Sequence, residues 1–281
     1  MIWLIARSVF TESLRRRVFL VVPIVTVLFI GLYAFAVDRV FATVRREALG
    51  GEANSEIFAG ATLLGLSMFA TLFLGAVLAS FLTFSTVRGD AEQGTLQPAI
   101  VRPPGRRAWI VGRYLGAAAI GVSYAVALFA ACVTVTGAIS GWWPDRVIEP
   151  ALQLAGAIAI IAAISTLGSV FLSATANGTT ALMLFGAGLT TGFMEQIGVA
   201  LNAPTLMTIG RTGALALPFE ALYQAALRAL TADTTGITGF VVRLGPFGGG
   251  RAMTALGYLW IAGFVVAVAV LAIRSFERRD L

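Results

Sequence analysis

Five stretches of the chain carry no charged residue, and they decide what it can fold into: Val18–Val37, Ile57–Val87, Tyr114–Trp143, Ala151–Met194 and Ala252–Ile273. A helix that crosses a bilayer needs about 20 apolar residues. Four of the runs are therefore one span each. Ala151–Met194 has room for two, with the small polar cluster Ser173-Ala174-Thr175-Ala176-Asn177-Gly178 as the turn between them. In lipid every backbone N–H and C=O must find its partner within the chain, which makes helices the expected form. The sequence thus predicts an all-α polytopic membrane protein, a single transmembrane domain over 1–281. Its six spans are expected at 18–37, 57–87, 114–141, 151–173, 179–200 and 252–273. Composition agrees, with 12% charged residues where a soluble domain carries about 25%. Ala34-Phe35-Ala36 resembles a signal-peptidase site, but the segment is read as a retained span.

All 20 basic residues are arginine, with neither lysine nor histidine present. A histidine proton relay, a Schiff-base lysine and a Walker A lysine are all excluded. Cys132 is the only cysteine and falls mid-span, so no internal disulfide and no reactive thiol are expected. Gly245-Pro246-Phe247-Gly248-Gly249-Gly250 lacks the lysine and Ser/Thr that a phosphate loop needs, and reads as a flexible turn. The chain is expected to hold no catalytic residue, no metal and no cofactor of its own.

With six spans both termini share one side. The N-terminus, the segment 88–113 and the C-terminus carry twelve arginines against five acids, and the opposite side eight against nine. Arginine excess marks the cytoplasmic face. Both termini are expected to be cytoplasmic, in a bacterial inner membrane, and the basic balance calls for no nucleic-acid partner.

Residues 1–17 place Trp3, Ala6, Phe10 and Leu14 on one helical face and Arg7, Thr11, Glu12 and Arg15 elsewhere, as in a helix lying in the membrane interface. A plain basic flank for the first span is the alternative. Trp142-Trp143-Pro144-Asp145 closes the third span with aromatic anchors. Residues 201–251 are expected to be external, and within them Pro218–Leu230 reads as an amphipathic helix at the outer interface, capping the external mouth or packing on the spans. Glu220, Gln224 and Arg228 form its polar stripe, expected to face solvent, and Phe219, Leu222, Ala226 and Leu230 its apolar face. A catalytic use for Glu220 is the alternative to a solvated stripe. Glu195 lies about 24 Å along a helix starting at Thr179, at 1.5 Å per residue. It is read as a helix-end residue, with a place on a translocation path as the alternative. Gly188 and Gly192, like Gly112 and Gly116, stand four apart and permit close helix approach; the first pair is read as a subunit contact slightly ahead of packing within the chain. Asn177-Gly178-Thr179 matches a glycosylation sequon, discounted on its expected cytoplasmic side.

The one compact polar insert is Arg88–Arg113, RGDAEQGTLQPAIVRPPGRRAWIVGR. A short helix around Asp90–Leu96, broken by Pro103-Pro104-Gly105, would lie between two spans and tilt both if a cytosolic partner pushed on it. A positive-inside hairpin without a partner is the equal alternative on physics alone.

The insert resembles that of the membrane subunits of type-2 ATP-binding-cassette (ABC) exporters. Those permeases carry Glu-x-Gly-Thr-Leu after the second span, then Pro-x-x-Arg and a Gly-Lys-Tyr-like start to the third. Here stand Glu92-Gln93-Gly94-Thr95-Leu96, Pro103-Pro104-Gly105-Arg106 and Gly112-Arg113-Tyr114. The ending Ser275-Phe276-Glu277-Arg278-Arg279-Asp280-Leu281 also looks like the family's basic, Asp-Leu terminus. The resemblance implies a non-catalytic permease whose insert is a coupling helix for a separate ATPase that binds ATP and Mg. Glu92, Gly94, Thr95 and Leu96 would be coupling residues, with Arg106 and Arg113 fixing the loop at the membrane surface. It further implies two permeases, as a homodimer, with two ATPases, and a dimer contact through spans one and five. Gln97-Pro98 departs from the apolar pair usual there, and proline would end the coupling helix early. Cargo is expected to be amphipathic or hydrophobic. A secondary transporter or channel would need charges at mid-membrane, where the spans show none. A membrane scaffold would use the insert for docking alone.

Overall fold

The computed structural model describes residues 2–15, 18–47, 54–84, 86–87, 105–230 and 252–278. They form helices α1 (Ile2–Arg15), α2 (Val18–Glu47), α3 (Asn54–Thr83), α4 (Gly105–Ser140), α5 (Ile148–Phe171), α6 (Ala174–Ala200), α7 (Pro204–Ala216), α8 (Pro218–Leu230) and α9 (Ala255–Glu277), and no strand occurs among the described residues. Among the described residues five helices are long and apolar enough to cross a membrane, within α2, α3, α4, α5 and α9. The sixth expected span lies in α6, which has 27 residues but carries Thr190, Thr191, Glu195 and Gln196 and falls short of the others in apolarity.

Helices do not stop at the first charge. α2 runs on to Glu47, and α4 begins at Gly105 instead of 114, so Arg106 and Arg113 belong to its first turns and not to a loop. At 1.5 Å per residue α4 is about 54 Å long, well beyond a hydrocarbon core of about 30 Å. The turn between α5 and α6 is tighter than the polar cluster suggested: only Leu172 and Ser173 leave the helix, and Ala174 to Gly178 already belong to α6.

α5 is the centre of the bundle and packs against α3, α4, α6, α8 and α9. Small residues let it in. A Cβ on Gly121 of α4 would stand 2.9 Å from Ile158, and Gly75 of α3 is pressed against the same side chain. Ile158 thereby fills a notch cut in two neighbouring helices, beside Leu72, Ala125 and Phe129, all buried. The interior is dry enough that hydroxyls pair with each other: Tyr33 of α2 and Thr136 of α4 meet at 2.7 Å.

α1 is a helix, as expected, and it docks on α4 through Ala6 of the expected apolar face together with the neighbouring Val9. Ala6 and Val9 press on Gly116 of α4, where an added Cβ would lie 2.8 Å from the Ala6 carbonyl. Trp3 stays exposed; the side chains of Phe10 and Leu14 lie outside the described residues. The glycine decides the contact, because backbone approaches backbone most closely where no Cβ intervenes. Trp142 behaves similarly: its ring covers Gly60 of α3 and ties α3 to the end of α4, whereas Trp143 remains exposed.

The segment after α6 turns back into the bundle. Asn202 adopts a left-handed conformation (φ 52°), Ala203 N donates to Gly198 O at 2.8 Å and Asn202 N to Val199 O. This is a Schellman ending with asparagine in the glycine position, and Pro204 starts the next helix at once. α7 then runs antiparallel along α6, with Gly198 against Leu206 and Met207, Gly210 against Glu195, and Gly213 against Thr191. α8 follows after Leu217 and crosses to α5 and α3, Leu222 reaching Gly156 and Leu227 reaching Gly65.

Of the 13 residues of α8, 11 are buried. Its boundaries are those expected from sequence, but the solvent-facing stripe is not there: Glu220 is 1% exposed and Gln224 6%, and only Arg228 of the three is exposed. Glu220 and Gln224 face Gly192 of α6 instead of water.

Candidate functional site

The insert leaves and re-enters the bundle at one small buried cluster. Val87 after α3, Ile110 of α4, Val170 of α5 and Ala272 and Phe276 of α9 pack together, flanked by Trp109, Leu167 and Ile273. Trp109 Nε1 donates to the Thr86 carbonyl at 3.3 Å, stitching the chain before the insert to the helix after it. The Arg113 guanidinium stacks over the Trp109 ring at 5.2 Å and is itself buried. Asn177 completes the frame from α6. Its Nδ2 donates to Ser165 O at 2.8 Å and to Phe84 O at 3.2 Å, beside Gly168, which leaves it room. That amide is 1% exposed, so burial already disqualifies the sequon.

Arg106 reaches the end of α9. Its Nη1 donates to the carbonyls of Phe276 (3.2 Å) and Glu277 (3.1 Å), and its guanidinium lies 5.7 Å from the centre of the Phe276 ring. A cation on the last free carbonyls of a helix is favoured by both hydrogen bonding and the helix dipole. Arg107 adds an exposed ion pair with Glu277. Arg107→Ala is expected to leave thermal stability unchanged, since exposed pairs contribute little, and Arg106→Ala to lower the melting temperature. The reverse order on a melting curve would show that the carbonyl contacts do not hold α9.

Of the sequence-derived coupling residues, Glu92, Gly94, Thr95 and Leu96 lie outside the described residues, as does the helix expected at Asp90–Leu96. Arg106 and Arg113 are brought together at the root of the insert, one on α9 and one on Trp109. Glu195 stands five residues before the end of α6 with 19% of its side chain exposed, and accepts from Arg211 Nε of α7 at 3.4 Å. Gly188 and Gly192, expected as a subunit contact, are spent inside the chain. Phe219 of α8 lies on Gly188, and the Glu220 carboxylate with Gln224 lies on Gly192. Sequence reasoning misses Asn177, although the uncharged stretch 151–194 holds only two amides, Gln153 and Asn177, and a buried amide has to be bonded to something.

A family model for ABC-2 family transporter proteins matches residues 3–281. The chain belongs to the ABC-2 transporter family. No curated protein matches it. An ABC-2 permease is the membrane component of a transport system, and the all-helical bundle with five apolar helices fits that role. An ABC ATPase is the general partner of such a permease, and the permease itself is typically not the catalytic chain.

Proposed function

We propose that this ABC-2 permease is the membrane half of an ATP-driven exporter in a bacterial cytoplasmic membrane, with both termini and the insert cytoplasmic. Two copies, as a homodimer, work with two copies of a separate ATPase that binds ATP and Mg. The insert is its docking element, with Glu92, Gly94, Thr95 and Leu96 at the contact. What supports this reading is the shared root of the insert. Its two ends meet a cluster containing the ends of α5 and α9, so a push on residues 88–104 is delivered to four helices together. Packed interfaces respond to such a push as rigid bodies. Cargo is amphipathic or hydrophobic, because the five apolar helices offer little charge to hold a strongly ionic compound.

The test is co-expression with the ATPase encoded beside this chain and recovery in mild detergent. Stoichiometric recovery is expected, lost on mutating Glu92 and Leu96. Glu92→Arg is expected to cut ATP-dependent efflux by about ten-fold or more, the loss of one charge-assisted contact at about 1.4 kcal/mol per decade, with the bundle still folded. Full transport by that variant removes the insert from the mechanism.

One observation favours an ion-coupled transporter instead: the buried carboxylate of Glu220, since intramembrane acids commonly serve ion pathways. Efflux that survives collapse of the proton gradient but stops on ATP depletion decides for the exporter.

A further inference from the structure

A groove of about 1120 Å³ lies between α1, α2 and α4. Pro23 and Val27 of α2, Leu78 of α3 and Ile120 of α4 line its length. Its polar side chains are few: Thr26, Ser123 and Tyr124, with Arg7 at one end. Thr26 Oγ1 and Tyr124 OH meet each other at 2.7 Å, and Thr26 also donates to the Val22 carbonyl. Apart from this pair and the exposed Ser123 hydroxyl the walls are apolar, and a strongly polar solute would lose most of its water without replacement. Among the described residues the groove carries one charge, Arg7, at the α1 end beside Trp3, both exposed. Arginine next to tryptophan on an amphipathic helix marks the headgroup level of a bilayer. From Gly116, where α1 touches α4, to Tyr124 the groove continues about 12 Å down α4, at 1.5 Å per residue.

A cation at the headgroup level over an apolar slot of this depth selects an anionic head with a hydrocarbon body. We infer that the groove holds one anionic phospholipid of the surrounding leaflet, its phosphate on Arg7 and its chains along α4 between Pro23 and Ile120. The lipid wedges α1 against α2 and α4, and so belongs to the resting structure of the permease.

Native mass spectrometry of the full chain, released from detergent after titration with phosphatidylglycerol or with phosphatidylcholine of the same chains, tests it. One phosphatidylglycerol per chain is expected to persist at activation energies that strip phosphatidylcholine. Arg7→Gln is expected to weaken phosphatidylglycerol retention by about five-fold, the usual worth of one basic side chain at an anionic leaflet. Ala119→Phe, which places a ring in the groove from the exposed side of α4, is expected to abolish the adduct. Its melting temperature in lipid-free detergent should match the parent, which separates a filled groove from a misfolded chain. Equal retention of the two lipids, or an adduct unchanged in both variants, overturns the assignment. So does a lipid-free dimer that Ala119→Phe breaks apart, since a second copy then fills the groove.

Discussion

Valine in place of Gly210 is expected to separate α7 from α6 and to cost the protein its folded, monodisperse state in detergent. At this position a Cβ would lie 2.7 Å from both the Cα and the backbone N of Glu195. No rotamer change relieves that clash, because the obstacle is main chain. Overpacking a tight interior costs about 1–3 kcal/mol even where side chains can yield, and total stability is only about 5–15 kcal/mol. The loss also spreads. α7 carries α8 into the bundle, so its displacement drags Phe219, Leu222 and Tyr223 from the core they share with α3 and α5. Gly186, with no atom within 4 Å of its would-be Cβ, is the control, and Gly186→Ala should melt with the parent. Size-exclusion profiles read by fluorescence after a heat step suffice. A Gly210→Val profile indistinguishable from the parent would mean that α7 is not seated on α6.

Local features of this fold are legible in its sequence, and the contacts between helices are not. Uncharged length is a property of one helix, and it placed α2, α3, α4, α5 and α9. Proline at Pro218 with a four-residue polar repeat is likewise local, and α8 has the bounds it implied. What a helix face looks at is not local. Glu220, Gln224 and Arg228 make the same stripe whether it meets water or the bare backbone of Gly192, and only the fold decides. The spacing of Gly188 and Gly192 says that something comes close, and says nothing about whether it is α8 or a second subunit. Arg106 shows the same limit. Its charge was evident beside the insert, but its task on the carbonyls ending α9 depends on a helix 170 residues away. The α1 groove could not be foreseen at all, because it exists only where three helices fail to fill a space.

Glu220 and Gly192 offer the second large effect, and a way to measure the contact itself. Gln224 Nε2 donates to the Glu220 carboxylate at 2.8 Å, and both side chains occupy the space that Gly192 leaves by lacking a Cβ. Gly192→Ala places a methyl against that carboxylate, so the parent background should lose about 1–3 kcal/mol. Glu220→Ala removes the hydrogen bond and leaves a void under a buried helix, for a loss of about 2–4 kcal/mol. Combined, the two changes should not add. With the carboxylate gone the alanine methyl at 192 enters the void, and the double variant should melt at or above Glu220→Ala alone. Contacting residues show coupling of about 0.5–3 kcal/mol in such cycles, whereas distant ones add within about 0.5 kcal/mol. Glu220→Gln keeps the shape and an acceptor oxygen for Gln224, and should fold like the parent. Strict additivity of Gly192→Ala and Glu220→Ala would place the carboxylate somewhere other than over Gly192, and would return α8 to the solvent-facing helix that its sequence suggests.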